Sequence, residues 1–337
     1  MSKPISRTLK TLAGVAAFGV VASFASLTQA AETKLTMIHP FPDFLQYTKN
    51  CKNLVAVINE RGKGVVNIEM LPFNSIKMFQ QPGAVSKGRV DLVCTPAAFY
   101  ARGIPENEAV STASSSAMQA RAAGGTAILD GLHQKHFNTK YLGWTSSGNR
   151  FRIYMKNAPK FGSNGLPDFG GVKMRDNPIY GAFLKALKAT THNLPSSAVF
   201  SALEKGVVDA SAWATLGLKG LKWDKFLRHA VAEEFYQTDI GWMMNLDKWK
   251  SLSPAAQKLI QDTVIEFERM NYYILTGMAD GETATLKAEG MKCHAVPAAA
   301  TFTKMAVDSA YARMDERLTK AGRDKSSIAK LRAAFQQ

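Results

Sequence analysis

Arginine is the residue type in this chain best placed to do chemistry. Arg175 stands in GGVKMRDNP (170–178), after Val172 and Met174 of a short buried strand. Asp176-Asn177-Pro178 follows and reads as a helix start, with Pro at the first helical position. Ligands of open α/β sheets lie beyond the carboxyl ends of strands, and helix N-termini attract negative charge. A planar guanidinium takes a carboxylate in two parallel hydrogen bonds. The position therefore suits a carboxylate clamp. An internal ion pair to Asp176 or Glu204 accounts for the same spacing equally well. Arg150 opens RFRIYMK (150–156), where alternation puts Arg150, Arg152 and Tyr154 on one face and Phe151, Ile153 and Met155 on the other. Trp213 ends a strand on the same side of the sheet as Arg175. It reads as core or as an apolar wall for a ligand.

Nucleophilic and metal chemistry find little footing. The sequence holds no GxSxG, Walker loop, GxGxxG or HExxH. Ser146 and Ser147, in GWTSSGNR, have no partnered histidine and read as loop residues or hydrogen-bonders to a ligand. His133 and His136 share a helix face without a third ligand, so they read as a solvated or capping pair. Cys293 and His294 alternate across a strand, which is poor ligand geometry. No metal and no cofactor is expected. Cys51, Cys94 and Cys293 fall in no metal-ligand spacing. Each reads as a small buried apolar residue, with one disulfide among them left open.

The elements that must hold these residues alternate. KLTMIHP (34–40) is a strand, 43–61 a helix stopped by Gly62, and VVNIEML (65–71) a strand. A short helix at 82–88 leads to the strand DLVCT (91–95). Then come RFRIYMK, the strand GVKM (171–174), a helix from Pro178, a short helix at 198–205 and the strand VVDASAW (207–213). This alternation implies parallel βαβ units in an α/β fold. SKGRVDLVCT (86–95) and EKGVVDASAW (204–213) share Lys-Gly-x-Val-Asp at one point of the grammar, a helix running into a strand. The echo suggests two lobes of related topology around a cleft. A segment from Ser253 to Gly290 is long enough to run along both lobes as one helix, with kinks expected at Gly277 and Gly281. Residues 300–335 read as a further helical region.

The first thirty residues carry Lys3, Arg7 and Lys10, an apolar stretch and the small-residue ending TQA, the pattern of a secretory leader cleaved after Ala30. The chain has 337 residues and a formal net charge of +15. Its basic residues are spread rather than run together, which argues against nucleic acid and for steering a small anion.

Four segments then carry a resemblance, in order: KGRVDLV (87–93), GNRFRIYMKNAPKFGSNGLPDFGGVKMRDNP (148–178), FSALEKGVVDASAW (200–213) and NLDKWKSLSPAAQKLIQ (245–261). Together they resemble the solute-binding proteins of TRAP transporters, the dicarboxylate-type periplasmic family, over nearly all of residues 34–320. The resemblance implies an α/β, two-lobed periplasmic-binding-protein-like fold with a long helix spanning both lobes. Lobe I would take 31–149 plus about 239–275, lobe II 150–238 plus about 290–337, and the shared helix about 254–289. It implies that Arg175 pairs with a substrate carboxylate, that Arg150 supports it, and that a periplasmic receptor delivers an organic anion to small and large membrane permease subunits, as a monomer or weak dimer. Trp213 stands where many members have a ligand-contacting Asn, as in members that take monocarboxylates or 2-oxo acids. Ala212 stands where some of those have a metal-binding acid, and Thr95-Pro96 where some have a Glu. The expected ligand is a monocarboxylate with an apolar or aromatic body, with His39, Phe41, Asn74 and Thr95 as further contributors. An exported enzyme acting on a carboxylate, or a module presenting its ligand to a receptor kinase, are the rival readings.

Overall fold

The computed structural model describes Met1 and residues 32–337; the expected leader lies outside the described residues apart from Met1. The first run of elements is β1 (Thr33–Ile38), α1 (Gln46–Arg61), β2 (Val66–Met70), α2 (Gln81–Ser86), β3 (Leu92–Pro96), α3 (Glu108–Ser111), α4 (Ala117–Ala122), α5 (Gly125–Phe137) and β4 (Thr139–Trp144). The second is β5 (Arg150–Met155), β6 (Lys160–Phe161), β7 (Pro167–Asp168), β8 (Lys173–Asp176), α6 (Gly181–Ala186), β9 (Thr190–Asn193), α7 (Ser196–Glu204), β10 (Ala210–Ala214), β11 (His229–Val231) and β12 (Phe235–Gln237). The chain returns through β13 (Ile240–Asn245), α8 (Leu246–Ser251), α9 (Pro254–Ala288), β14 (Lys292–His294), α10 (Ala299–Lys320) and α11 (Ser327–Phe335).

Two sheets of matching design result. One runs β2-β1-β3-β13-β4; the other runs β9-β8-β10-β5-β11-β14, with β12 also paired to β5. In each, a central strand is flanked by two parallel neighbours (β2 and β3 on β1, β9 and β10 on β8), and the next strand joins antiparallel. The sequence echo marks this correspondence. Gly88 and Gly206 both adopt left-handed φ, 69° and 67°, where α2 and α7 turn back into β3 and β10. A β-carbon is disfavoured there, which accounts for the glycine the two segments share.

Two segments cross from lobe to lobe side by side. The Thr145 amide donates to the Ile240 carbonyl (2.9 Å), and the Thr238 amide donates to the Asn149 carbonyl (2.8 Å). Ser146 Oγ donates to the Thr238 carbonyl at 2.7 Å. α9 spans both lobes in 35 residues, about 52 Å at about 1.5 Å per residue. It passes Gly277 and Gly281 without a break in the helix. Glu268 fastens it to the first lobe through Arg121 Nε (2.7 Å) and the Trp144 amide (2.6 Å). Glu282 fastens it to the second, accepting from the Gly217 and Lys219 amides at 2.9 Å each.

Several local expectations change. β8 continues through Arg175 to Asp176, and no helix starts at Pro178; a turn fills the gap to α6. The helical C-terminal region is divided into two helices, with Gly322 taking φ 61° between them. α11 does not join the second lobe: Leu331, Ala334 and Phe335 pack with Ala117, Ala120, Leu129 and Trp144 of the first. Cys51 of α1 and Cys94 of β3 form a disulfide and Cys293 is free, so two of the three cysteines are cross-linked rather than merely buried. His133 is not solvated. It is fully buried between Asn107 and Thr139, and desolvation pushes its pKa down to about 3. Among the described residues, no helix is long and apolar enough to cross a membrane.

Candidate functional site

Arg175 is 2% exposed, set in β8 with Ser211 of β10 beside it. Its Nε donates to the Leu194 carbonyl at 2.9 Å, and its Nη1 donates to the Tyr180 hydroxyl. That hydroxyl donates onward to the Ala212 carbonyl at 2.7 Å. The guanidinium carbon sits 5.9 Å from the ring centroids of Tyr180, Trp213 and Trp223. Neither Asp176 nor Glu204 forms an ion pair with it. Asp176 is spent on the Asn177 amide (2.6 Å), and burial raises its pKa. Arg175 is a buried cation whose hydrogen-bond partners among the described residues are neutral, and Asp176 acts on it only through space.

It lines a cavity between the two sheets. From the second lobe come Phe151, Asn177, Ile179 and Trp213, with Leu194-Pro195-Ser196 at the start of α7. From the first come Phe41, Tyr47, Phe79, Pro96 and Phe99, and from the crossing segment Thr238 and Asp239. The helix N-terminus beside Arg175 is therefore that of α7, whose entry residue is Pro195 and whose first amides have no intrahelical acceptor. Aromatic rings make the walls: Phe41 lies 5.5 Å from Tyr47 and 6.0 Å from Phe99, and Trp213 lies 6.1 Å from Tyr47. The free space is about 30 Å³, room for about two waters.

Of the expected residues, Arg175, Trp213 and Phe41 line this cavity and four do not. Arg150 lies outside it. Phe151 pairs with Ala214 at the end of β10, so Arg150 falls one residue past that end. Its Nη2 reaches the Ser114 carbonyl at 3.2 Å, in a surface groove with Glu234 and Arg332. Thr95 is fully buried and one residue out of phase; Pro96 faces the cavity instead. Asn74 lies exposed in a turn. His39 is buried, and its Nδ1 bonds the Phe41 carbonyl at 3.0 Å. Burial lowers its pKa. It shapes the turn that delivers Phe41. Sequence reasoning missed Tyr47, Phe99, Phe151 and Ser196, which contact only in the folded molecule. It also missed Asp239, which is 1% exposed. Asp239 Oδ2 accepts from the Ala98 amide (2.7 Å) and Ser111 Oγ (2.8 Å), and burial pushes its pKa up to about 6.

Residues 41–317 match the family model described as bacterial extracellular solute-binding protein, family 7. The chain belongs to that family. Among curated proteins it is 26% identical over 174 residues to a solute-binding protein of Verminephrobacter eiseniae, covering 49% of this chain and 51% of that one. It is 24% identical over 176 residues to a monocarboxylate 2-oxoacid-binding periplasmic protein of Nostoc, covering 48% and 46%. These matches span about half the length of the curated relatives. Among solved structures, a TRAP periplasmic solute-binding protein of Desulfovibrio salexigens with bound orotic acid superposes with TM-score 0.76 at 18% identity, covering 90% of this chain and 98% of that one. A Bordetella bronchiseptica TRAP solute-binding protein with calcium and picolinate gives 0.73 at 20%, covering 90% and 92%. A Bordetella pertussis extracytoplasmic solute receptor binding pyroglutamic acid gives 0.74 at 15%, covering 90% and 99%. The two-lobed fold of this family is the fold of this chain.

Proposed function

We propose that this family 7 protein is a periplasmic receptor that captures a small carboxylate and hands it to TRAP-type membrane permease subunits. The observation that carries this is Arg175, a buried guanidinium with no hydrogen-bonded carboxylate among the described residues, in a cavity between two lobes. Burying an uncompensated charge is costly, and an anionic ligand offsets that cost. Arg175 Nη2, the Asn177 amide nitrogen, the Ser196 hydroxyl and the first amides of α7 are the donors at hand for a carboxylate. The opposing walls are aromatic, which suits a flat or apolar body of a few carbons. Orotate and picolinate, bound by two proteins of the same fold, are flat monocarboxylates. Closure dries the site and strengthens the ion pair. Capture needs only a shift between open and closed states; no step of it requires catalysis.

The test is calorimetric titration of protein freed of bound solute by unfolding and refolding, against monocarboxylates, dicarboxylates, sugar acids and neutral controls. Micromolar or tighter binding of one carboxylate class, lost in Arg175→Ala, is expected. A properly refolded protein that binds no carboxylate overturns the proposal.

A further inference from the structure

Asp239 is the carboxyl side chain in the lining of the Arg175 cavity, and nothing in the capture of a carboxylate explains it. A carboxylate ligand gains nothing from a neighbouring acid. Asp239 arrives on the crossing segment between β12 and β13 and lines the same cavity as Arg175 of β8. Its Oδ2 is held twice, by the Ala98 amide at 2.7 Å and Ser111 Oγ at 2.8 Å, which fixes the plane of the carboxyl group. Its Oδ1 is buried and has no hydrogen-bond partner among the described residues. Buried polar atoms in folded proteins are nearly always paired. An unpaired acceptor in the wall of a ligand cavity marks where a donor arrives.

Resting on the reading of the cavity as a carboxylate site, we propose that the ligand also carries an N–H donor, taken by Asp239 Oδ1 while Arg175 takes the carboxylate. The substrate class is then a compact carboxylic acid with a nitrogen-bound hydrogen near it: a lactam, an N–H heteroaromatic acid or a cyclic amino acid. Arg175 and Asp239 divide the recognition. One requires an anion, and the other rejects an analogue that has oxygen in place of N–H, because two lone pairs would then face each other without a proton.

Matched pairs that differ by N–H against O test this by calorimetry: pyrrole-2-carboxylate with furan-2-carboxylate, pyroglutamate with its lactone analogue, and proline with tetrahydrofuran-2-carboxylate. The native chain should bind the N–H member of at least one pair tenfold or more tightly than its partner. The pair that responds separates heteroaromatic, lactam and ammonium donors. In Asp239→Asn, whose amide can present a donor of its own, that preference should fall below threefold, with folding checked by the melting transition. Equal binding within the pairs by the native chain overturns the inference and leaves carboxylate capture standing, as does binding confined to carboxylates without an N–H. A preference that survives in folded Asp239→Asn also overturns it. Silence of every carboxylate removes both readings together.

Discussion

Arg175→Met should abolish carboxylate binding and leave the ligand-free protein melting no lower than the native chain. The guanidinium has no acid partner. A side chain of similar length removes a buried charge at the loss of hydrogen bonds worth about 1 kcal/mol each, somewhat more with a charged donor. A fall of several degrees in the ligand-free melting temperature would instead make Arg175 a structural residue. Asp239 gives a second prediction. Burial raises its pKa from 3.8 to about 6, so between those values the folded state holds a proton that the unfolded state has released. Its contribution to stability therefore falls as pH rises from about 4 to about 6 and is level above. Urea unfolding of the native chain against Asp239→Asn across this range should show that slope in the difference, and a flat difference contradicts it. Asp239 left no mark in the sequence. Its partners Ala98 and Ser111 lie 141 and 128 residues away, and only the crossing of the two lobes brings them together.

At the scale of elements, the disulfide ties α1 to β3 across a sequence separation of 43. Loop-closure entropy puts its contribution at about 4 kcal/mol, with about 2–5 kcal/mol typical for native bridges. Replacing Cys51 and Cys94 together by Ala should cost that order of stability in urea and leave the ligand preference intact. Glu282 carries two amides of the loop after β10. Glu282→Ala should cost about 1–3 kcal/mol by leaving those donors to water. The βα grammar and the echoed Lys-Gly-x-Val-Asp were legible because they are local: a left-handed glycine and a strand period leave the same trace wherever they occur. Phase within a strand was harder to read. Thr95 and Pro96 differ by one position and face opposite sides. Arg150 missed the cavity because β5 pairs with β10 in a register that no stretch of either strand encodes alone. The helix expected at Pro178 failed for a related reason. Asn177 Oδ1 accepts from the Ile179 amide at 2.9 Å, which makes a turn first, and the helix whose N-terminus lines the cavity begins later, at Ser196.

For the molecule as a whole, the burial of the site sets the order of events. Arg175 and Trp213 are only 2% and 4% exposed, so opening precedes entry of any ligand that contacts both. Tryptophan fluorescence should report binding, since Trp213 lines the cavity and lies 4.8 Å from Trp223. In stopped-flow mixing, the observed rate should level off at high ligand concentration, at the rate of opening. A rate that rises linearly without limit would show that the open form already predominates.

If the protein captures solute as proposed, the crossing segments and α9 are where the two sheets would turn, which makes the molecule a latch rather than a sponge. The strength of grip and the speed of surrender are then set in different places. Grip belongs to Arg175 and the aromatic walls, and surrender to the joint behind them. A docking surface on a membrane that levers the joint could empty the site without weakening any contact to the cargo, so a tightly held solute need not be a slowly delivered one.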